Sequence, residues 1–304
     1  MTSVPEQSVP EPGDHGGDAH LHGFDIELSA SLNPVAPDPV PVFRRHLDAV
    51  HRYPNPDRAT AAVAETLDVD PKRVLLTNGG SEAIALVASH LKSGWVEQPE
   101  FSLYQRHLQL DPTSGRWLSD PNNPTGRLAE PDERSAVRDE AFYPLATGTW
   151  TRRDPDTIVV GSLTKVFACP GVRIGYIIAP DDKFKAQVEA SQPRWALSGL
   201  ACAAIPDLLA TADLPAWQTQ IAELREVLAA ALNDRGWSPI PGAANYLWLP
   251  DAPGLRNAMA SKGILIRSGA SFGFADAVRI AVPSEQLMTQ VIAAIPEMSS
   301  EPRR

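Results

Sequence analysis

One lysine lies between two short apolar runs. Thr157–Val160 leads into Gly161-Ser162-Leu163-Thr164-Lys165-Val166-Phe167, and Pro170-Gly171-Val172-Arg173 leads into Ile174–Ala179. Both runs are short and β-branched, the pattern of buried strands. Lys165 therefore belongs to a tight connection at the end of a buried strand. Desolvation there favours a neutral amine, and a neutral amine can form a Schiff base. The hydroxyls of Ser162 and Thr164 and the guanidinium of Arg173 can hold a phosphate beside it. Taken alone, the stretch also reads as a surface loop with an ordinary lysine.

A second strand–turn–helix signal runs from Arg73 to Ile84, with Asn78-Gly79-Gly80-Ser81 at the turn. Glycines admit close backbone approach, and free N–H groups at a helix start bind phosphate. Beyond Ala179 the pattern changes. Asp181 to Leu197 reads as a polar helix, Ser198 to Leu209 as an apolar one, and Ile221 to Leu232 as amphipathic. Three strands follow, at 244–249, 263–267 and 277–282. In the last, Val278, Ile280 and Val282 share one face, so Arg279 points to the other. Arg267 and Arg279 are read as anion-binding, because an arginine fork grips carboxylate or phosphate bidentately.

Composition narrows the partners. The chain has 304 residues, 43% of them hydrophobic, enough for a sizeable core. A net charge of −10 argues against nucleic acid or an anionic membrane, so an acidic substrate must be met by local arginines. Cys169 and Cys202 form no metal or redox pattern, which suits a reducing compartment. With no spanning run and no signal-peptide pattern, a cytoplasmic protein is expected. Residues 1–23 are rich in Pro, Gly and acidic side chains and read as a disordered tail. His15, His20 and His22 within it read as solvated, and no metal site is expected.

The run S-L-T-K-x-F-x-x-P-G-x-R-I-G resembles the lysine motif of fold-type I pyridoxal-phosphate enzymes, from about Leu28 to about Val282. The likeness is greatest to the branch that holds histidinol-phosphate aminotransferases and the L-threonine-O-3-phosphate decarboxylases of cobalamin synthesis. It implies an α/β fold: a large domain (53–195) with a mostly parallel sheet, and a small α+β C-terminal domain (196–304), preceded by an arm (24–52). It implies pyridoxal 5'-phosphate held by Lys165. Gly80, Ser81, Ser162, Thr164 and Arg173 fall around its phosphate, Tyr104 of Pro99-Glu100-Phe101-Ser102-Leu103-Tyr104 against its ring, Asn123 of Asn122-Asn123-Pro124-Thr125-Gly126 on its phenolic oxygen, and Asp139 on its ring nitrogen. Tyr53 of Arg52-Tyr53-Pro54 would reach the partner subunit's cofactor in a homodimer. Asn33, Arg267 and Arg279 would bind a small anionic amino substrate. Ser31 stands where the resemblance expects an Asn.

Phe142 stands where the aminotransferases usually carry Tyr, which favours the decarboxylase branch; a histidinol-phosphate-type aminotransferase is the alternative. Only fifteen residues separate Tyr104 from Asp120, and only twelve separate Gly126 from Asp139. The sheet is therefore expected to be trimmed by one strand and at least one covering helix. Arg138 replaces the apolar residue expected before the aspartate. These departures leave open a catalytically impaired relative that still binds the cofactor.

Overall fold

The structure, a computed structural model, describes residue 11 and residues 16–298. Seven strands form the larger sheet, in the order β2 (Val74–Thr77), β8 (Gly175–Ile178), β7 (Ile158–Gly161), β6 (Val137–Asp139), β5 (Arg116–Ser119), β3 (Ser93–Val96) and β4 (Gln109–Leu110). All run parallel except β8. A smaller sheet has the order β1 (Ile26–Leu28), β10 (Ile264–Ser268), β11 (Val278–Ala281) and β9 (Tyr246–Leu249). The helices are α1 (Val40–Arg45), α2 (Asp57–Leu67), α3 (Gly79–Leu91), α4 (Leu103–His107), α5 (Tyr143–Thr147), α6 (Leu163–Val166), α7 (Asp182–Glu189), α8 (Gly199–Leu209), α9 (Leu214–Asp234), α10 (Leu255–Ala260) and α11 (Glu285–Ala294). No single described helix is long and apolar enough to cross a membrane.

The apolar runs around Lys165 are β7 and β8, buried at every position. One face of the larger sheet carries Trp117, Val137 and Ile158 in register, packed with Ile84 and Val87 of α3. The other packs Val159 and Leu76 against α2 and α8. Helix α8 starts where Ser198 accepts the amide of Ala201, and α9 where Asp213 accepts that of Ala216. Helix α9 spans both cores: Trp217 and Ile221 lie in the first, Leu228 and Leu232 in the second.

Three expectations change. The sheet keeps seven strands, so none is lost; the shortening falls on the crossovers. Between β5 and β6, residues 120–136 contain no helix. On that face Leu118, Arg138 and Val159 stand in register. Arg138, its side chain fully buried, donates to Asp120 (3.0 Å) and to the carbonyl of Glu133 (2.8 Å) and forms an ion pair with Asp154 (2.9 Å). Arg152 adds Asp120, Asp154 and the carbonyls of Ala129, Glu130 and Pro131. Charged side chains thus stitch a coil over strands that are ordinarily covered by apolar helix.

The second change concerns the tail. Residues 16–23 are ordered: Gly17 donates its amide to Ser29 Oγ, Ala19 donates its own to Glu27, and Ala19 packs with Phe24, Ala260 and Leu265. His22 lies 3.6 Å from Asp18; His15 and most of the expected tail lie outside the described residues. The third is the arm, whose residues 26–28 form β1, paired in parallel with β10. Helix α8, likewise, sits in the first core rather than in a C-terminal domain beginning at 196.

Candidate active site

A cavity of about 580 Å³ opens between the carboxyl ends of the larger sheet's parallel strands and the smaller sheet. At one end the start of α3 presents Gly80 and Ser81, opposite Ser162 and Arg173. Gly79, with φ +80°, makes this approach possible: a Cβ there would stand 2.6 Å from Arg173 Nη2. Backbone N–H groups, a hydroxyl and a guanidinium converge on one spot, a cradle suited to a phosphate.

Lys165 lies midway along the cavity, its Nζ 5.8 Å from the Phe142 ring centroid. Burial, aided by the charges of Arg279 and Arg173, pushes its amine down to about 8. Asp139, at the end of β6, accepts hydrogen bonds from the Ala141 amide (3.0 Å) and the Tyr104 hydroxyl (2.8 Å). Burial raises this carboxyl while those two donors pull the other way; a cationic ring nitrogen opposite it would favour the carboxylate further. Asn123 lines the same wall and accepts from Arg279 Nη1 at 2.5 Å.

Arg267 and Arg279 are register partners on β10 and β11, and both line the cavity. Arg267 donates to Ser271 Oγ at 2.8 Å. Arg279 also donates to the Ser29 carbonyl at 2.9 Å and lies 4.9 Å over the Tyr246 ring, while its Nε has no hydrogen-bond partner among the described residues. The residues present therefore fit pyridoxal phosphate: an anion cradle, an amine, a carboxylate and a carboxamide face one space, with two further arginines beyond.

Three expected site residues stand elsewhere. Tyr104 is fully buried behind the wall, bonded to Asp139, so it supports the carboxylate rather than facing a ring; Phe101, edge-on to it at 5.7 Å, lines the cavity instead. Asn33 donates to the carbonyl of Val166 and accepts from the Val35 amide, so its amide pins the arm to the lysine loop and is not available to a substrate. Thr164 reaches the cavity, but its hydroxyl both donates to the Ile174 carbonyl and accepts the Ile174 amide, which closes the loop between β7 and β8. Ser31 is buried, its hydroxyl unbonded among the described residues. Tyr53 is 77% exposed, is not among the residues lining this chain's own cavity, and stacks on Trp195 at 4.4 Å.

Arg106 and His107 are among the cavity residues that were not anticipated. With Leu103 they follow an i, i+3, i+4 spacing, so α4 turns those three toward the cavity and Tyr104 away. A larger hollow of about 660 Å³, between α2 and the segment after α7, is lined by Trp195 but by none of the side chains that line the first cavity.

Comparison with known proteins bears on the same elements. The chain is 30% identical to the threonine-phosphate decarboxylase of Salmonella typhimurium (strain LT2), over 89% of this chain and 90% of that protein. It is 25% identical to histidinol-phosphate aminotransferase 2 of Methylococcus capsulatus, over 89% of each. The solved histidinol-phosphate aminotransferase of Clostridium acetobutylicum superposes with a TM-score of 0.77 at 21% identity, covering 88% of this chain and 97% of that one. Residues 111–295 match the sequence profile described as aminotransferase class I and II. That span carries β6 with Asp139, the lysine loop, Arg267 and Arg279, and the chain belongs to the aminotransferase class I and II family of pyridoxal-phosphate enzymes.

Proposed function

We propose that this enzyme acts on a small amino compound bearing two acidic groups, in the manner of an L-threonine-O-3-phosphate decarboxylase of cobalamin synthesis. The pair Arg267 and Arg279, buried and side by side on the cavity wall opposite the phosphate cradle, carries this reading. A substrate with both a carboxylate and a phosphate needs more than one cation, and Arg106 at the same cavity adds another. Phe142, without a hydroxyl, leaves Asn123 as the neutral side-chain donor on that wall and agrees with the decarboxylase branch.

Bound pyridoxal phosphate supplies an aldehyde for an amine and an electron-poor ring that takes up the electron pair of a bond broken at the substrate's α-carbon. The protein's part is binding, orientation and proton placement. Lys165 would bind the cofactor and afterwards hold or return a proton at Nζ, which an amine at about 8 does at neutral pH. Asp139, fixed by Tyr104 and Ala141, would hold the ring nitrogen protonated. Arg173, Ser162, Gly80 and Ser81 would grip the cofactor's phosphate. Arg267 and Arg279 would orient the substrate's carboxylate and so choose which bond lies perpendicular to the ring.

The deciding experiment supplies O-phosphothreonine and follows carbon dioxide release, beside histidinol phosphate with 2-oxoglutarate followed for glutamate. Carbon dioxide from the first alone supports the proposal; glutamate from the second alone assigns the chain to aminotransferase chemistry. We also propose a homodimer, with Tyr53 serving the second site; its stacking on Trp195 at the protein surface supports this.

A further inference from the structure

Glu100 is a buried carboxyl with no part in the chemistry above. It is 2% exposed, and its contacts are the Ser119 hydroxyl, the Ser119 amide (2.9 Å), the Phe101 amide (3.2 Å) and Asn122 Nδ2 (3.3 Å). Every one of these partners is neutral. The hollow behind it holds Arg116 and Arg127, but both are engaged by Glu133, and Arg116 by Glu97 as well. The titratable groups facing it from other elements are Asp139 on β6, Tyr104 on α4 and Tyr246 on β9. None of them is a cation.

Ser119 is the link to the cavity. It stands in register with Asp139 on the neighbouring strand, its hydroxyl accepts the Asn123 amide at 2.7 Å, and the same hydroxyl acts on the Tyr104 hydroxyl, which donates to Asp139. One serine therefore bonds the residue that would face the cofactor's phenolic oxygen and acts on the support of the residue that would face its ring nitrogen. We propose that Glu100 is a positioning residue for the cofactor ring, acting through Ser119 on Asn123 and on the Tyr104–Asp139 pair. This rests on the cofactor site described above.

The protonation state gives the arrangement a direction. Burial pushes the Glu100 carboxyl up to about 8, so at neutral pH it is an acid. Its proton then points at Ser119 Oγ, the serine proton at Tyr104 and the tyrosine proton at Asp139, a chain of donors ending on a carboxylate. Once Glu100 ionises, the Ser119 hydroxyl turns back to it and Tyr104 loses that donor.

Glu100→Gln keeps a donor at this position at every pH; Glu100→Ala removes it. Pyridoxal phosphate affinity, followed by the visible absorbance of the lysine-bound cofactor, reads the effect without turnover. Because Lys165 titrates in the same range in all three proteins, the ratio of dissociation constants to that of Glu100→Gln is the quantity to compare. For the parent we expect that ratio to stay near one at pH 6.5 and to rise severalfold at pH 9.5. For Glu100→Ala it is expected to be roughly tenfold at both, the value of one lost hydrogen bond at ~1.4 kcal/mol. A parent ratio flat with pH, or a Glu100→Gln protein as impaired as Glu100→Ala at pH 6.5, would overturn the proposal. If Glu100→Ala does not fold, the parent-to-Gln ratio decides alone. A parent protein that takes up no cofactor would overturn both this inference and the site on which it rests.

Discussion

At Lys165 burial and two nearby arginines act in the same direction, toward a neutral amine. The rate at which the apoprotein develops colour with pyridoxal phosphate is expected to climb about tenfold per unit below pH 8 and level off above it, since only the neutral amine attacks. A rate constant across pH 6 to 9 would contradict this. Lys165→Ala is expected to abolish turnover in a folded protein; turnover within about tenfold of the parent would exclude the covalent role. Arg279→Leu is expected to lower kcat/KM by roughly ten- to a few-hundredfold, because each charge-assisted hydrogen bond is worth ~1.5–3 kcal/mol. From sequence alone the cofactor's absorbance would be expected to survive that change. The hydrogen bond from Arg279 to Asn123 alters the expectation: the band should shift as well, and an unshifted spectrum would show that Asn123 holds its place unaided. Lys165, Asp139, Asn123 and Arg279 were legible because their motifs or strand alternation leave the side chain one direction. Tyr104 and Asn33 were not. Their direction depends on a five-residue helix and on an arm closed against the short helix α6, distant in sequence, and neither leaves a period to read.

Among the elements, the crossover from β5 to β6 departs most from expectation. Its shortness was visible in the spacing, and Arg138 was visible as an anomaly, but the two were read as a missing strand. A three-residue strand containing an arginine has no apolar run to mark it; only the pairing on both sides makes it one. The cluster beneath it has Asp120 and Asp154 against Arg138 and Arg152, two charges of each sign, with Glu140 as a fifth member. Arg138→Met would leave both aspartates to Arg152 alone, and a loss of ~3–5 kcal/mol in denaturant unfolding is expected; a loss below 1 kcal/mol would mean that Arg152 and the backbone suffice to hold the coil. Burial pushes Glu140 from an ordinary 4.5 up to about 7. A folded-state acid raised in this way keeps its proton while the unfolded chain releases one. Its contribution to stability therefore falls as pH rises from about 4.5 to about 7. Glu140→Gln should remove that slope from the melting temperature, and an unchanged slope would place its origin in another group.

At the scale of the whole molecule, α9 ties the two cores together, and the exposed Tyr53–Trp195 stack beside the larger hollow marks the face proposed for the second subunit. Light scattering should give twice the chain mass, and Tyr53→Ala should weaken cofactor retention; a fully active monomer would contradict the shared site. The coil between β5 and β6 also bears on how the chain reaches this state. A crossover helix forms early from local contacts, whereas seventeen residues of coil gain nothing until the strands they join have met and the arginines beneath are in place. The seam carrying Asp139 is thus expected among the last parts to form. Pyridoxal phosphate present during refolding should leave the folding rate unchanged and slow only unfolding, because the chain has no site for it until the transition state has passed.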